Sequence, residues 1–479
     1  MQSPKQASLP ASKTRIIATI GPASSSPAIL EQMIRAGMNI ARLNFSHGEF
    51  ATHRQSIENI RAAAKAADRP VAIMADLSGP KMRIGQFAAE PIHLKPGDRF
   101  TLTTEDTVGS QERVSVTFAR LPKVVKRGDR LSLNDGTILI EVAEVGDREV
   151  TCVVQVGGEL RSRKGLNMPG IDLGISAFTE RDRDCLQFAL EHGVDAVSQS
   201  FVESAADVRA VREAARKLGR DPFLIAKIER ARALDALDEI LDSADGVMIA
   251  RGDLGVEVPI ERIAIIQKDI MRRANRRGKP VITATQMLES MIHHRMPTRA
   301  EATDVANAIL DGTDGVMLSA ESAMGEFPVE SVSMLARIAA TVESTRRQVS
   351  VKDMYGGIDL TGKVLPLHLI AVSVEASLEY LKPAAVFART DSGKSARRLA
   401  AFRLPVWTVA ISPSAKTTQD LLFSSGVAPV HQPTPPVSWS AYVKNWVTAH
   451  HLPGSFAILT QRPSAEDPES NFRLEIINL

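Results

Sequence analysis

Eight short apolar runs rich in β-branched residues recur along the chain, and amphipathic stretches of helix length join nearly all of them. Such runs predict parallel strands in βαβ units. Eight of them can close a (β/α)8 barrel, in which functional side chains gather at the carboxyl ends of the strands. The predicted strands span residues 15–20, 39–43, 71–75, 195–199, 223–226, 246–250, 280–284 and 315–318.

The alternation is interrupted between the third and fourth strands. There the sequence changes to period-two runs separated by turn signals such as Asn134-Asp135-Gly136, which predict an inserted all-β domain. Because the insertion springs from the carboxyl-end rim, it is placed to act as a lid that excludes water. The expected parts are a flexible tail (1–14), the α/β barrel (15–86 and 165–347), a β-barrel lid (87–164) and a C-terminal α/β regulatory domain (348–479).

Composition excludes several classes of protein. Hydrophobic residues make up 44% of the 479 residues and charged residues 24%, which is typical of globular proteins. Lys and Arg total 58 against 56 Asp and Glu, and no dense basic stripe predicts nucleic-acid binding. Cys152 and Cys185 lack metal or CxxC spacing and are expected to be buried thiols. Since no apolar run could span a bilayer or serve as a signal core, we expect a cytoplasmic protein.

One cation and two carboxylates follow neighbouring predicted strands. Lys227 and Glu229 come after the fifth strand, and Asp253 comes after the sixth. The carboxyl ends of such strands face a common crevice, where two carboxylates suit Mg²⁺ and a lysine can offset developing negative charge. Taken alone, the motif would favour a surface Lys-Glu pair beside a turn aspartate.

Six motifs, in order along the chain, resemble those of the pyruvate kinase family. They are residues 19–24 (TIGPAS), 41–48 (ARLNFSHG), 227–229 (KIE), 250–255 (ARGDLG), 284–291 (ATQMLESM) and 297–301 (PTRAE). The resemblance implies transfer of a phosphoryl group from phosphoenolpyruvate to ADP, followed by protonation of the enolate, so that pyruvate and ATP are released. Such transfer depends mainly on positioning and charge neutralisation.

The resemblance also assigns roles to individual residues. Glu229 and Asp253 would hold one Mg²⁺, and a second would arrive with the nucleotide. Residues implied in catalysis are Lys227, Arg42, Thr285 and Arg83, and those implied in substrate binding are Arg42, Arg251, Gly252, Asp253, Thr285 and Ser200. Two alternatives remain open from the sequence: the arginines could be surface residues, and Thr285 could cap a helix.

Nucleotide contacts are implied at family positions on both sides of the cleft. These positions are Pro22, Asn44, His47, Arg83, Asp135 and Lys164. Met324 stands where many relatives carry a lysine, so one nucleotide charge pair is expected to be missing.

The run that follows the third strand departs from relatives that require K⁺. Those relatives carry Asp-Thr-Lys-Gly-Pro-Glu, whereas this chain carries Asp76-Leu77-Ser78-Gly79-Pro80-Lys81. The family K⁺ site resembles one formed by Asn44, Ser46 and Asp76, and the Lys81 ammonium could replace the ion because two cations would repel in a confined site. We therefore expect activity without K⁺. The alternative is that Lys81 points to solvent and K⁺ still binds.

A loop in the predicted third domain resembles the activator site of relatives. Hydroxyls, a glycine and a lysine precede a helix there and could hold a phosphate, although such turns are also common helix caps. The loop residues are Thr390, Ser392, Gly393, Lys394 and Ser395. Since the segment 461–470 is acidic, we expect a sugar monophosphate or AMP rather than a bisphosphate, or loss of regulation.

Two other functions compete with this interpretation. Another barrel enzyme that uses Mg²⁺ and an enolate, such as a pyruvate aldolase or lyase, would share the Lys-x-Glu pattern. A catalytically silent regulatory relative would have no reason to keep the charged set. Residues 297–301 resemble a segment that reaches a neighbouring subunit, which implies a homotetramer.

Overall fold

The computed structural model describes residues 9–356, 365–463 and 471–479. The strands, numbered along the chain, are β1 (Arg15–Thr19), β2 (Met38–Asn44), β3 (Ala72–Leu77), β4 (Ile92–Leu94), β5 (Arg99–Thr103), β6 (Arg113–Ser115), β7 (Arg130–Leu133), β8 (Ile138–Val145), β9 (Glu149–Val156), β10 (Gly158–Leu160), β11 (Leu166–Asn167), β12 (Ala196–Gln199), β13 (Phe223–Ile228), β14 (Gly246–Ala250), β15 (Val281–Ala284), β16 (Gly315–Leu318), β17 (Val386–Arg389), β18 (Thr408–Ser412), β19 (Val427–His431), β20 (Phe456–Gln461) and β21 (Arg473–Asn478).

Helices alternate with most of these strands. The α-helices are α1 (Pro27–Ala36), α2 (Phe50–Ala67), α3 (Leu121–Val124), α4 (Glu180–Glu191), α5 (Ala205–Lys217), α6 (Ala231–Asp235), α7 (Leu237–Ser243), α8 (Arg251–Glu257), α9 (Ile263–Arg276), α10 (Arg299–Leu310), α11 (Ala320–Ala323), α12 (Pro328–Thr345), α13 (Val351–Tyr355), α14 (Pro366–Leu378), α15 (Lys394–Ala401), α16 (Ala415–Asp420) and α17 (Trp439–Ala449). Short 3-10 helices occupy Ile260–Arg262, Glu289–Ile292 and Leu421–Phe423. No helix in these described ranges is long and apolar enough to cross a membrane.

Eight parallel strands close into a barrel, in the order β1-β16-β15-β14-β13-β12-β3-β2. This confirms the predicted fold class. Each predicted strand coincides with an observed one, with small shifts at the ends. Both β3 and β13 end two residues later than predicted, and β13 continues through Lys227 and Ile228 because they pair with Met248 and Ile249 of β14. Lys227 is therefore fixed by the sheet itself.

Local sequence signals explain where barrel helices begin and end. Ser26 precedes α1 and its side chain accepts a hydrogen bond from Ile29 N, while Gly37 ends the helix with a φ of 126° that favours glycine. Before α10, Thr298 and Glu301 form a reciprocal capping box. Such stops keep the connections short, so that successive strands pack side by side.

The inserted segment is all-β apart from the short helix α3. Its strands form a six-stranded sheet, β11-β7-β8-β9-β5-β6, and a two-stranded sheet, β10-β4, rather than one closed barrel. Its core is separate from that of the α/β barrel and contains Phe100, Leu131, Ile140 and Cys152. The lid touches the rim, since a Cβ added at Gly136 would lie 3.2 Å from Val256 Cγ2 on α8.

The third domain contains a five-stranded sheet in the order β19-β18-β17-β20-β21. β21 runs antiparallel to β20, whereas the other pairs are parallel. Apolar runs at residues 385–388, 406–411 and 456–460 predict β17, β18 and β20, but β19 and β21 were not predicted from the sequence. Most of the predicted acidic segment, residues 464–470, lies outside the described residues, as do 357–364 and 1–8.

The third domain closes the amino-terminal end of the barrel. Leu422 and Phe423 join the cluster of strand side chains that fills the barrel, and the Phe423 ring stacks on Phe223 at the start of β13, with 4.9 Å between centroids. Arg403 forms a buried two-point ion pair with Asp314, with N–O distances of 2.8 and 2.9 Å.

The two predicted buried thiols, Cys152 and Cys185, are free and buried.

Candidate active site

Side chains from four adjacent strands meet around the Lys227 ammonium. Lys227 Nζ lies 2.6 Å from Ser200 Oγ, 3.3 Å from Glu229 Oε2 and 3.6 Å from Asp76 Oδ1. Arg42 Nε donates to Asp76 Oδ2 at 2.8 Å. Burial alone would lower the pKa of Lys227, but Asp76, Glu229 and Asp253 raise it. The structure thus holds a charged ammonium at the carboxyl end of the barrel.

Asp76 is the common partner of the cations in this cluster. It is buried and accepts hydrogen bonds from Arg42 and, at 2.6 Å, from Ser198 Oγ. Although burial opposes ionisation, Lys227 and Arg42 lower the pKa of Asp76. An ionised Asp76 keeps both cations in place.

Glu229 and Asp253 are the two residues that the sequence predicts as magnesium ligands. Glu229 is 3% exposed, and its Oε1 accepts from Phe201 N at 2.6 Å. Its Oε2 lies 3.3 Å from Lys227 Nζ and has no hydrogen bond in the described part of the chain, and burial raises the pKa of Glu229, with Asp253 adding to the effect. A metal ion would satisfy this oxygen. Among the described residues, no three His, Cys, Asp or Glu side chains form a cluster that could hold a metal ion.

The segment after β14 begins a helix, and two of its groups are engaged within the protein. Helix α8 begins at Arg251, and Gly252 N donates to Thr285 Oγ1 at 2.7 Å. The Arg251 guanidinium contacts Asp304 Oδ1 and the Thr285 carbonyl oxygen at 2.8 and 2.9 Å. The Arg251 side chain therefore supports the site from behind.

Thr285 does not cap the helix that follows it in the chain, so that alternative is wrong. The 3-10 helix that follows begins at Glu289 with Leu288 as its cap. Thr285 and Gln286 instead adopt left-handed backbone conformations with φ of 71° and 54°. Strained residues of this kind persist where the surrounding structure holds them, and they are frequent in active sites. The Thr285 hydroxyl is turned toward Gly252 on α8.

The predicted nucleotide residues lie on both sides of the cleft. His47 is largely exposed, but partial burial of its ring lowers its pKa, and the charges of Lys81, Arg83 and Arg42 lower it further. These residues therefore share one positive region. On the lid side, Lys164 O accepts from Ile84 N at 3.0 Å, next to Arg83. The remaining members are placed as follows: Asn44 Oδ1 accepts from Ser46 N at 3.2 Å, and Pro22, Asp135 and Met324 are exposed.

Lys81 lies beside the cluster without a direct bond to it. Its side chain is exposed, and within the described residues its ammonium donates no hydrogen bond. Loss of water at the crowded rim lowers the pKa of Lys81, as do Lys227 and Arg83, while Asp76 and Asp253 oppose this shift. Ser46 Oγ accepts from Ser78 Oγ at 2.9 Å. Lys81 therefore adds positive charge to the rim.

The loop between β17 and α15 contains buried polar groups. Thr390 and Ser395 are 1% and 6% exposed, and their hydroxyls have no hydrogen-bond partner among the described residues. Gly393, with a φ of 77°, precedes α15. The loop also holds Ser392 and Lys394, which are exposed. Buried hydroxyls without partners are uncommon, and an anion would satisfy them.

Several supporting residues could not be found from the sequence. Ser198, the backbone N–H of Phe201, Arg230 and Glu257 hold the predicted residues in place. Arg230 is adjacent to Glu229 in the chain, which is the one signal that could have drawn attention to it. The others depend on contacts between segments that are distant in sequence.

Comparisons with known proteins agree with this geometry. The family model "Pyruvate kinase, barrel domain" matches residues 11–332, and "Pyruvate kinase, alpha/beta domain" matches residues 368–451. The chain belongs to the pyruvate kinase family. It is 48% identical to a pyruvate kinase of Thermococcus litoralis over 422 residues, which cover 88% of this chain and 89% of the relative.

Other pyruvate kinases resemble the chain over similar lengths. That of Thermotoga maritima is 40% identical over 417 residues, covering 87% of this chain and 88% of the relative. A solved pyruvate kinase structure from Cryptosporidium parvum superimposes with a TM-score of 0.88 at 33% identity, covering 98% of this chain and 96% of the other. The chain is thus an enzyme of the pyruvate kinase type, rather than an aldolase, a lyase or a silent relative.

Proposed function

We propose that the cluster around Lys227 carries out Mg²⁺-dependent phosphoryl transfer from phosphoenolpyruvate to ADP. The observation that supports this most directly is the burial of the ammonium between Ser200, Asp76 and Glu229. Pre-oriented charges of this kind stabilise developing negative charge without reorganising during the reaction. Bound at Glu229 and Asp253, Mg²⁺ would supply further charge neutralisation.

Each residue of the chain has a distinct part in the proposed reaction. Arg42, which is held by Asp76 and by Thr19 Oγ1, binds the phosphoryl oxygens, and Lys227 neutralises charge on the enolate oxygen. Arg83 and Lys164 hold the nucleotide from the lid side. The Thr285 hydroxyl, turned toward the backbone of α8, takes part in delivering the proton to the enolate carbon.

The proposal is tested by coupled assay of pyruvate formation with and without Mg²⁺. We expect turnover to need the metal, phosphoenolpyruvate and ADP together. Glu229→Gln and Asp253→Asn should each weaken binding of Mn²⁺, measured by electron paramagnetic resonance, by about 10-fold or more. Wild-type affinity in both variants would contradict the assigned metal ligands.

We further propose that activity does not require K⁺. The support is Lys81, whose charge lies within the field of Asp76 and Asp253, where a monovalent cation would otherwise balance those carboxylates. Repulsion between Lys81 and a second cation would exclude the ion from so small a space.

Assays in tetramethylammonium buffer, with and without KCl, test this proposal. We expect wild-type turnover to change by less than about twofold on adding KCl, since the charge is already supplied. The variant Lys81→Glu should lose activity in the absence of K⁺ and recover on adding it. A large rise of wild-type activity with KCl would show that Lys81 points to solvent and the ion still binds.

We also propose that the loop between β17 and α15 binds a phosphorylated activator, either a sugar monophosphate or AMP. The hydroxyls of Thr390 and Ser395 support this, since they have no hydrogen-bond partner in the described ranges. Arg462 also supports it, because its guanidinium lies beside Asp391 and its Nε has no hydrogen-bond partner there. Titrating the enzyme at low phosphoenolpyruvate with each monophosphate, and with fructose bisphosphate, tests the choice. Ser395→Ala should abolish activation and leave basal turnover intact.

The assembly and the domain limits remain part of the proposal. Exposed apolar side chains on the barrel surface, including Ile260, Ile265 and Met296, support association between copies, for which we propose a homotetramer. Light scattering measures its mass directly. We also propose domain limits at residues 15, 87, 165 and 348 as predicted, although Ile84 and β11 already contact the lid sheet.

A further inference from the structure

Arg230, which directly follows Glu229, is buried and joins three separate segments. Its side chain is 2% exposed. Nε donates to Glu203 Oε1 at 3.0 Å, one terminal nitrogen to Glu257 Oε1 at 2.7 Å, and the other to the carbonyl oxygen of Ile171 at 2.9 Å. A guanidinium satisfied in this way has little freedom to move.

The first segment is the loop after β12, which runs alongside the end of β13. Ser200 contacts Lys227, Phe201 N donates to Glu229, and Glu203 accepts from Arg230. Three successive contacts therefore tie this loop to the catalytic strand, and Arg230 makes the outermost one. Phe201 has a φ of 60°, an unfavourable conformation that neighbouring contacts must maintain.

The second segment is α8, and the third is Gly170 and Ile171, where the chain passes from the lid back to the barrel. Glu257 is the last residue of α8, and Asp253 lies one helical turn before it. Glu257 Oε2 also accepts from Ala231 N at 3.2 Å and from Gly170 N at 3.5 Å. The pair Arg230–Glu257 is thus bonded to Ile171 and Gly170, where the chain leaves the lid.

We propose that Arg230 is a positioning residue that sets the spacing between Glu229 and Asp253 and couples that spacing to the lid. It rests on the proposed function, since it concerns the proposed Mg²⁺ ligands. Buried ion pairs contribute little net stability but fix geometry when both partners are fully bonded. Residues that orient metal ligands typically change metal affinity about 10–100-fold when they are replaced. Arg230 acts on both carboxylates from outside the ligand set.

The experiment compares Arg230→Gln with Arg403→Gln, an equally buried arginine that pairs with Asp314 at the opposite end of the barrel. We expect Arg230→Gln to weaken Mn²⁺ binding at least 10-fold by electron paramagnetic resonance. It should raise the Mg²⁺ concentration for half-maximal activity by the same factor, and speed hydrogen exchange across residues 168–173. Arg403→Gln should lose comparable thermal stability and keep wild-type Mn²⁺ affinity.

The outcomes separate this inference from the proposed function. Absence of Mn²⁺ binding and turnover in the wild type would contradict the proposed function itself. A wild type that binds Mn²⁺, together with a folded Arg230→Gln of unchanged affinity, would overturn the role of Arg230, as would equal loss in Arg403→Gln. If Arg230→Gln does not fold, Glu203→Gln removes one of its charged partners, and unchanged Mn²⁺ affinity in that variant overturns the inference.

Discussion

At the scale of single residues, the site is a balance of buried charges. Two cations, Arg42 and Lys227, face the carboxylates Asp76 and Glu229 across distances of 2.8 to 3.6 Å. The groups are coupled electrostatically, since Lys227 and Arg42 lower the pKa of Asp76 against the effect of burial, whereas burial raises the pKa of Glu229. Changing one group therefore alters the others. Asp76 retains Arg42 when Lys227 is removed, which keeps that half of the cluster intact.

Replacing the central ammonium should remove activity and spare the fold. We expect Lys227→Met to lower kcat several hundredfold to a thousandfold, since one pre-oriented electrostatic contact is worth about 3–4 kcal/mol of barrier. The same substitution at Lys416, an exposed lysine paired with Asp420, serves as the control. Steady-state kinetics and circular dichroism make the comparison, and a Lys227→Met enzyme with wild-type kcat would refute the assignment.

The sequence predicted which residues converge but not how they are supported. Lys227, Glu229 and Asp253 were placed correctly at strand ends because strand periodicity fixes which end each occupies. By contrast, the hydrogen bond from Phe201 N and the left-handed conformation of Thr285 depend on packing between distant segments. Phe201 and Thr285 both have a positive φ, which neither phenylalanine nor threonine favours, and nothing local in the sequence signals this conformation.

At the scale of elements, the loop after β12 is the support on which the site depends. It rests against the turn that follows β3. A Cβ added at Gly79 would lie 2.9 Å from the Phe201 ring and 3.2 Å from the Ser200 carbonyl oxygen. Gly79 also has a φ of 63°, so only glycine fits there without strain. The position of Ser200 and Phe201 is therefore set from outside β12.

Gly79→Ala should displace this loop and reduce turnover. Gly97→Ala is the matched control, because Gly97 has a φ of 92° but no neighbour within 4 Å of an added Cβ. Both variants should lose about 1–2 kcal/mol of stability through backbone strain. We expect kcat to fall at least 10-fold in Gly79→Ala alone, measured at saturating substrates. Equal kcat in the two variants would mean that the loop does not position the site.

The barrel was easier to predict than the third domain for a physical reason. Its strands are buried on both faces and appear as continuous apolar runs. β21 is an edge strand in which Ile477 is buried and most other residues are exposed, and β19 ends in partly exposed residues. Strands of that kind carry a weak hydrophobic signal, so the sequence missed them.

At the scale of the whole molecule, a few buried polar bonds join the barrel to the third domain. Asp314 accepts from Arg403, from Ser425 N at 2.9 Å and from Val281 N at 3.0 Å. Arg15 donates from β1 to the carbonyl oxygen of Ser424 at 2.9 Å. The junction lies at the amino-terminal ends of the strands, away from the catalytic rim. It should therefore affect stability more than chemistry.

Asp314→Asn should destabilise the enzyme without changing its chemistry. Removing one partner of a buried ion pair costs about 3–5 kcal/mol, because the other charge is left uncompensated. Glu31→Gln breaks the exposed pair with Arg35 and should cost only about 0.3–0.5 kcal/mol. Guanidinium unfolding measures the difference, and kcat at 25 °C should stay within about twofold of wild type. A large loss of kcat in folded Asp314→Asn would place this junction within the catalytic machinery.

The stacking of Phe423 on Phe223 has a consequence for synthesis of the chain. These two rings are separated by 200 positions (423 − 223). Every barrel strand therefore leaves the ribosome well before Phe423, the residue that covers the amino-terminal end of the barrel. Until then the apolar side chains at the amino-terminal end of the nascent barrel are exposed to water and to other polypeptides. A chain truncated before residue 423 would keep this apolar surface exposed and should aggregate, and chaperones should be needed most during that interval of synthesis.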